Sequence, residues 1–160
     1  MKLYHGSIDC VESPEIRIPN RTLDYGAGFY LTSSHEQAKN WVRRKFKGSV
    51  VSGWLNVYEY NSDTESELSV LSFDKPDEQW LDFVMANRMD KNFIHSYDIV
   101  KGPVADDRVY ASFALYEAGL LNKEALITEL KAYKLVNQIL LHTEVALKSI
   151  QFIKAEKILK

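Results

Sequence analysis

The chain has a single cysteine, Cys10, so an internal disulfide is excluded. A buried or neutral thiol in a reducing compartment is the expectation. Prolines number four in 160 residues, and no Gly/Ser/Pro-rich stretch, repeat or low-complexity tract marks a linker. One domain over residues 1–160 is therefore expected. No apolar run approaches membrane-spanning length, and the opening Met-Lys-Leu-Tyr-His lacks the apolar segment of a secretion signal. The expectation is a cytoplasmic protein with no membrane partner. His5, His35, His95 and His142 are scattered without His/Cys/carboxylate ligand spacing, so no metal is expected. A net charge of −2 gives no bulk attraction to nucleic acid. The local cluster Arg43-Arg44-Lys45 with Lys47 reads first as a solvated helix face and second as a phosphate-facing patch.

What is present is ordinary for a globular chain: 46% apolar and 26% charged residues. Residues 2–5 read as a strand, Ile8–Val11 as a helical turn and Glu15–Ile18 as a brief strand ended by Pro19. Phe29–Thr32 reads as strand and Ser34–Phe46 as helix. Gly48–Tyr60 carries the clearest β signal, with Asn61–Thr64 as a turn and Leu68–Phe73 as a short strand. Asp77–Arg88 follows Pro76 with a helical stripe of Trp80, Leu81, Phe83, Val84 and Met85. Tyr97–Val100 reads as strand, Gly102–Ala105 as a constrained turn, and Asp107–Ala118 as a helix ending near Gly119. Lys123–Ala132 is a helix capped by Asn122. Gln138–His142 is strand, Thr143–Leu147 a helical turn, and Ser149–Ala155 a final strand with a charged tail. Strands at both ends, helices between and no βαβ alternation predict an α+β fold with mainly antiparallel sheet.

The richest stretch runs from Asp24 to Trp41. Gly26 and Gly28 precede Phe29-Tyr30-Leu31-Thr32, and Ser33-Ser34-His35-Glu36-Gln37 then begins a helix carrying Ala38, Trp41 and Val42. Glycines of this kind allow a left-handed backbone or a close approach. Two other stretches keep it company: Leu3-Tyr4-His5-Gly6-Ser7 and Val136-Asn137-Gln138-Ile139-Leu140-Leu141-His142.

Together the three stretches resemble the ADP-ribosyltransferase superfamily on its diphtheria-toxin and poly(ADP-ribose)-polymerase side. There a His-Gly-Ser/Thr strand, a Gly-x-Gly-φ-Tyr strand-to-helix stretch and a late Asn/x-Glu strand carry the triad His, Tyr and Glu. His5 falls on the His, Tyr30 on the Tyr and Gln138 on the Glu. Trp41 falls where a second ring covers the nicotinamide. More closely, the chain resembles a bacterial domain-of-unknown-function family, number 3990. Its marks are the Tyr-His-Gly-Ser opening, the Gly-x-Gly-Phe-Tyr-x-Thr stretch and the Gly102-to-Asp107 run Gly-Pro-Val-Ala-Asp-Asp.

The superfamily resemblance implies split antiparallel sheets flanked by helices, with NAD in a cleft as the substrate. It implies a mono-ADP-ribosyltransferase, the toxin of a toxin–antitoxin pair or a defence effector. Its partners would be a protein or nucleic-acid acceptor and an antitoxin protein. His5 would hydrogen-bond a ribose, and Gly6 would offer its backbone to the nicotinamide amide. Ser7 would assist that loop, Gly28 would shape the second stretch, and Tyr30 and Trp41 would sandwich the ring. Gln138 is the departure: it keeps an acceptor carbonyl but lacks the charge of Glu. NAD hydrolysis and a catalytically silent NAD-binding or partner-binding module therefore stand as alternatives, with Glu144 as a substitute charge or a plain surface residue. Asp106-Asp107 reads as a helix cap before it reads as a base or a metal site. Asn87 and Arg88 are candidates to reach the cleft, since Arg suits a pyrophosphate, but no feature of the sequence places them there.

Overall fold

Each α-helix begins at a side chain that takes up an otherwise unpaired backbone N–H. Ser34 accepts from the Gln37 N–H at the start of α1 (His35–Arg44). Asp77 accepts from Trp80 ahead of α2 (Glu78–Met89). Asp106 takes the N–H groups of Arg108 and Val109 before α3 (Asp107–Glu117), the capping role expected of it. Asn122 accepts from Ala125 at α4 (Lys123–Ala132).

The computed structural model describes all 160 residues, and its strands are β1 (Lys2–Ser7), β2 (Phe29–Thr32), β3 (Ser52–Tyr60), β4 (Val70–Ser72), β5 (Ile99–Pro103), β6 (Asn137–Leu141) and β7 (Ile150–Leu159). They form one seven-stranded sheet in the order β4-β5-β6-β2-β1-β3-β7. Only β4 and β5 are parallel; every other neighbouring pair is antiparallel. The class is α+β with a mixed sheet. No helix is long and apolar enough to cross a membrane.

The sheet is unevenly joined. β1 meets β3 over six residue pairs, and β2 meets β6 over four. Between β1 and β2 there is one pair, Tyr4 opposite Thr32. The ladder therefore parts there into a β4-β5-β6-β2 half and a β1-β3-β7 half.

Alternation along the strands gives the sheet two apolar faces. On one, Val100 and Leu140 pack with Trp80, Leu81 and Val84 of α2, Val109 and Phe113 of α3, and Leu126 and Leu130 of α4. On the other, Leu3, Phe29, Leu31, Tyr58, Ile139 and Leu141 form a second core that crosses the seam. Helix α1 shares the first face, because Tyr4 lies opposite Thr32 and next to Gly6. A Cβ on Gly6 would stand 2.3 Å from the Ala38 carbonyl oxygen, so α1 lies close on β1 only because residue 6 is glycine.

Several local expectations differ from the structure. Residues 8–11 form no helical turn: Asn56, fully buried, accepts from the Val11 N–H and donates to the carbonyls of His5 and Asp9. Glu15–Ile18 is no strand; Ile18 is 98% exposed and pairs with nothing. Gly102 and Pro103 belong to β5 rather than to a turn, with Pro103 as its last residue, where a missing N–H costs little. The charged tail continues β7 to Leu159. Asn61–Thr64 falls at the start of a 3-10 helix, Ser62–Glu67, and a second spans Ala146–Ser149. Cys10 is exposed.

Candidate active site

Where the sheet parts, α1 and the pair α2/α3 leave a gap on the first face. The gap is a cavity of about 690 Å³, within the range of small-molecule sites. His5 and Gly6 of β1, Tyr30 of β2, Trp41 of α1 and Gln138 of β6 all line it. Ser7 and Gly28 do not. The Ser7 hydroxyl oxygen accepts from the Asp9 N–H. Gly28, at φ +146°, lets the strand run close to β6, since a Cβ there would stand 2.4 Å from the Leu141 carbonyl oxygen.

His5 bridges the seam. Its Nδ1–H donates to the Tyr30 carbonyl at 2.8 Å, and its ring lies on Phe29 with centroids 4.4 Å apart. Burial pushes its pKa down to about 4, and the charge of Lys45 adds to this. The imidazole is neutral at pH 7. With Nδ1 donating, Nε2 is left as an acceptor.

Tyr30 has a double role. Its ring is cavity wall, while its hydroxyl donates to the Gly26 carbonyl and accepts from the Tyr25 N–H at 3.1 Å. Burial holds its phenol proton far above the ordinary range. The loop it grips is fixed from other sides as well. Tyr25, fully buried, donates its hydroxyl to the Pro103 carbonyl and accepts from the Trp80 indole N–H, both at 2.8 Å. His95 Nε2–H donates to the Tyr25 carbonyl, with Nδ1 accepting from the Tyr97 N–H, and His142 donates to the Ala27 carbonyl. Gly26 turns the chain at φ +86° against Asn87 and His95. This loop is held in one conformation by partners from β5, β6, α2 and the segment before β5.

Gln138 is buried between Thr32 and Gly102, its register neighbours, on the same side of the sheet as the Tyr25 hydroxyl. Gly102 makes room for this, since a Cβ there would stand 2.5 Å from that hydroxyl. Thr32 donates to Gln37 of α1 at 2.6 Å, tying the β2 wall to the helix that carries Trp41.

The cavity is electropositive. Arg21, Arg44, Lys45 and Arg88 line it against one carboxylate, Asp24, in a chain whose net charge is −2. Arg44 pairs with Asp107 at 2.9 Å and lies 5.5 Å from the Trp41 ring centre. Arg88 pairs with Asp24 and with Glu117, each at 3.3 Å. Of the basic cluster, Arg44 and Lys45 face the cavity, whereas Arg43 pairs with Glu36 on the α1 surface. Arg21 and Tyr110 are lining residues outside the sequence motifs, and Asp24, Thr32 and Gln37 line it from the Asp24-to-Trp41 stretch without a role assigned to them there. Asp24 does stand two residues before the first glycine of the Gly-x-Gly stretch, and that adjacency is the one available signal for it. No group of three or more His, Cys, Asp or Glu side chains is placed to hold a metal ion.

The arrangement offers two aromatic rings, a neutral imidazole acceptor, an amide and a ring of cations. Such a set fits a ligand with a flat heterocycle, hydroxyls and phosphate. A family model described as "Protein of unknown function (DUF3990)" matches residues 1–152. No curated protein matches the chain.

Proposed function

We propose, for a chain that belongs to the DUF3990 family of proteins of unknown function, that the cavity binds NAD and that the protein is a mono-ADP-ribosyltransferase. One observation carries the reading: His5, Gly6, Tyr30, Trp41 and Gln138, drawn from three distant stretches, line a single cavity. The parting of the sheet at Tyr4–Thr32 supports the split-sheet cleft that the superfamily resemblance implies.

In this reading Tyr30 and Trp41 flank the nicotinamide, and stacking contributes about 0.5–1.5 kcal/mol beyond burial. The His5 Nε2 accepts a ribose hydroxyl. Arg21 and Lys45 sit beside the diphosphate. Gln138 orients the nicotinamide-side ribose through its amide. The leaving group is already cationic, so no general acid is required, and catalysis consists of holding NAD and stabilising a ribosyl cation. The acceptor is a protein side chain or a nucleic acid. The biological role is that of a toxin with a protein antitoxin, or of a defence effector. Gln138 in place of Glu favours a second reading, in which the domain binds NAD without cleaving it.

The test is incubation with NAD labelled on its adenylate half, with and without cell lysate, beside a His5→Ala control. Nicotinamide release with label on a macromolecule, both lost in the control, supports transfer. Nicotinamide with only free ADP-ribose identifies a hydrolase. Binding without nicotinamide release identifies the silent module, and no binding refutes the NAD reading.

A further inference from the structure

Replacing the triad Glu by Gln138 removes a carboxylate from one wall of the cavity, but a carboxylate remains on another. The geometry points to Asp24 as the catalytic carboxylate of this site, accepting the proton of the incoming nucleophile as that nucleophile bonds to the ribose. The inference rests on the NAD reading above.

The other lining groups are poor candidates. Arg21, Arg44 and Arg88 are permanent cations with no lone pair to offer, and Lys45, although burial lowers its pKa, sits beside the diphosphate in this reading. A phenol is a poor proton acceptor near neutrality, and burial moves Tyr30 and Tyr110 further from that role. The His5 ring is committed in this reading, with Nδ1 donating to the Tyr30 carbonyl and Nε2 accepting a ribose hydroxyl. That leaves Asp24, which is 8% exposed and the only carboxylate on the lining.

Its surroundings hold it without neutralising it. Arg88 from α2 donates to Oδ1 at 3.3 Å and Tyr110 from α3 to Oδ2 at 3.3 Å. Both contacts are at the long end for hydrogen bonds and leave lone pairs free. Arg88 is shared with Glu117, which draws part of its charge away from Asp24. Arg21 from the same loop and the tyrosines Tyr25 and Tyr30 complete the groups around it. Burial raises the affinity of Asp24 for a proton, in the direction a general base requires. Position is fixed too, because Tyr25, the next residue, is anchored at its N–H, its carbonyl and its hydroxyl.

The step balances without a further reagent. The bond from the ribose anomeric carbon to the nicotinamide nitrogen breaks, and its electron pair leaves on that nitrogen and cancels the ring's charge. A lone pair of the acceptor, or of water, forms the new bond to the anomeric carbon. The proton it sheds passes to the Asp24 carboxylate and then to solvent. The negative charge of Asp24 also faces the cation while it exists.

The experiment compares wild type, Asp24→Asn and Asp24→Glu for NAD affinity, nicotinamide release and the pH dependence of that release. D24N is expected to bind NAD within about threefold of wild type, to slow release by about 100-fold or more and to lose the acid limb of the pH profile. D24E is expected to recover part of the rate with an acid limb at a displaced pH, and it carries the test if D24N does not fold. Wild-type release by D24N, or slow release with an unchanged acid limb, overturns the inference and leaves the NAD reading intact. A wild type that binds NAD without releasing nicotinamide overturns the inference but keeps NAD binding. A wild type that does not bind NAD overturns both.

Discussion

Acidification should unlatch His5, and the cost can be worked out. In the folded protein its pKa is about 4, against an ordinary value of 6.5. A group whose folded pKa is depressed contributes stability above its unfolded pKa and loses it as pH falls. The contribution of neutral His5 is therefore complete above about pH 6.5. Linkage gives a loss of about 2 kcal/mol by pH 5 and about 3 kcal/mol by pH 4, with a plateau below. These are upper figures, since one edge of the ring meets the open cavity. The comparison is with His5→Asn, whose amide N–H takes the place of Nδ1–H toward the Tyr30 carbonyl but does not titrate. Loss of the Phe29 stack lowers the stability of H5N equally at every pH, so the readout is the slope. His95, also depressed by burial, is common to both proteins and cancels. Urea unfolding between pH 7.5 and 4.5 should show wild type losing stability faster than H5N by these amounts. Parallel losses, or an imidazole NMR titration of His5 centred near 6.5, would refute the account of a desolvated neutral histidine.

Three substitutions probe the rest of the site. Gly28→Ala should cost about 2–4 kcal/mol by chemical unfolding, because it combines a positive φ with a Cβ driven into the Leu141 carbonyl. Tyr25→Phe should cost a similar amount, about 2–4 kcal/mol by calorimetry, by orphaning the buried Trp80 indole N–H and Pro103 carbonyl. Trp41→Ala should weaken NAD binding by about 3–10-fold by isothermal titration, the range a single stacking ring supplies. An unchanged affinity would remove Trp41 from the ligand site.

How much of this was written locally in the chain can be judged from particular residues. Asp106 and Asn122 announce their helices because a cap acts over three residues, and the structure has both capping. The strands at Phe29–Thr32 and Asn137–Leu141 follow from equally local apolar runs. Residues 8–11 depart from their own propensities because their conformation is set by Asn56, about 45 residues away in sequence. The place of Asp24 is equally non-local. Its partners Arg88 and Tyr110 come from two other helices, and nothing beside it in the chain shows that it is buried. The motifs at His5, Tyr30 and Gln138 suggested a shared site. That they line one cavity depends on strand order, which no local window contains.

The seam at Tyr4–Thr32 makes the sheet resemble a bound book. Its spine is the apolar core on the far face, which runs unbroken from Leu3 and Tyr58 to Ile139 and Leu141. The pages open on the cavity side, where one residue pair, the His5 side chain and helix α1, packed on Gly6 and bonded to Thr32, span the join. Distortion applied to one leaf has few rungs by which to reach the other, so core substitutions in β7 and in β5 should add with little interaction energy in the free protein. A ligand lying between the leaves supplies the missing rungs.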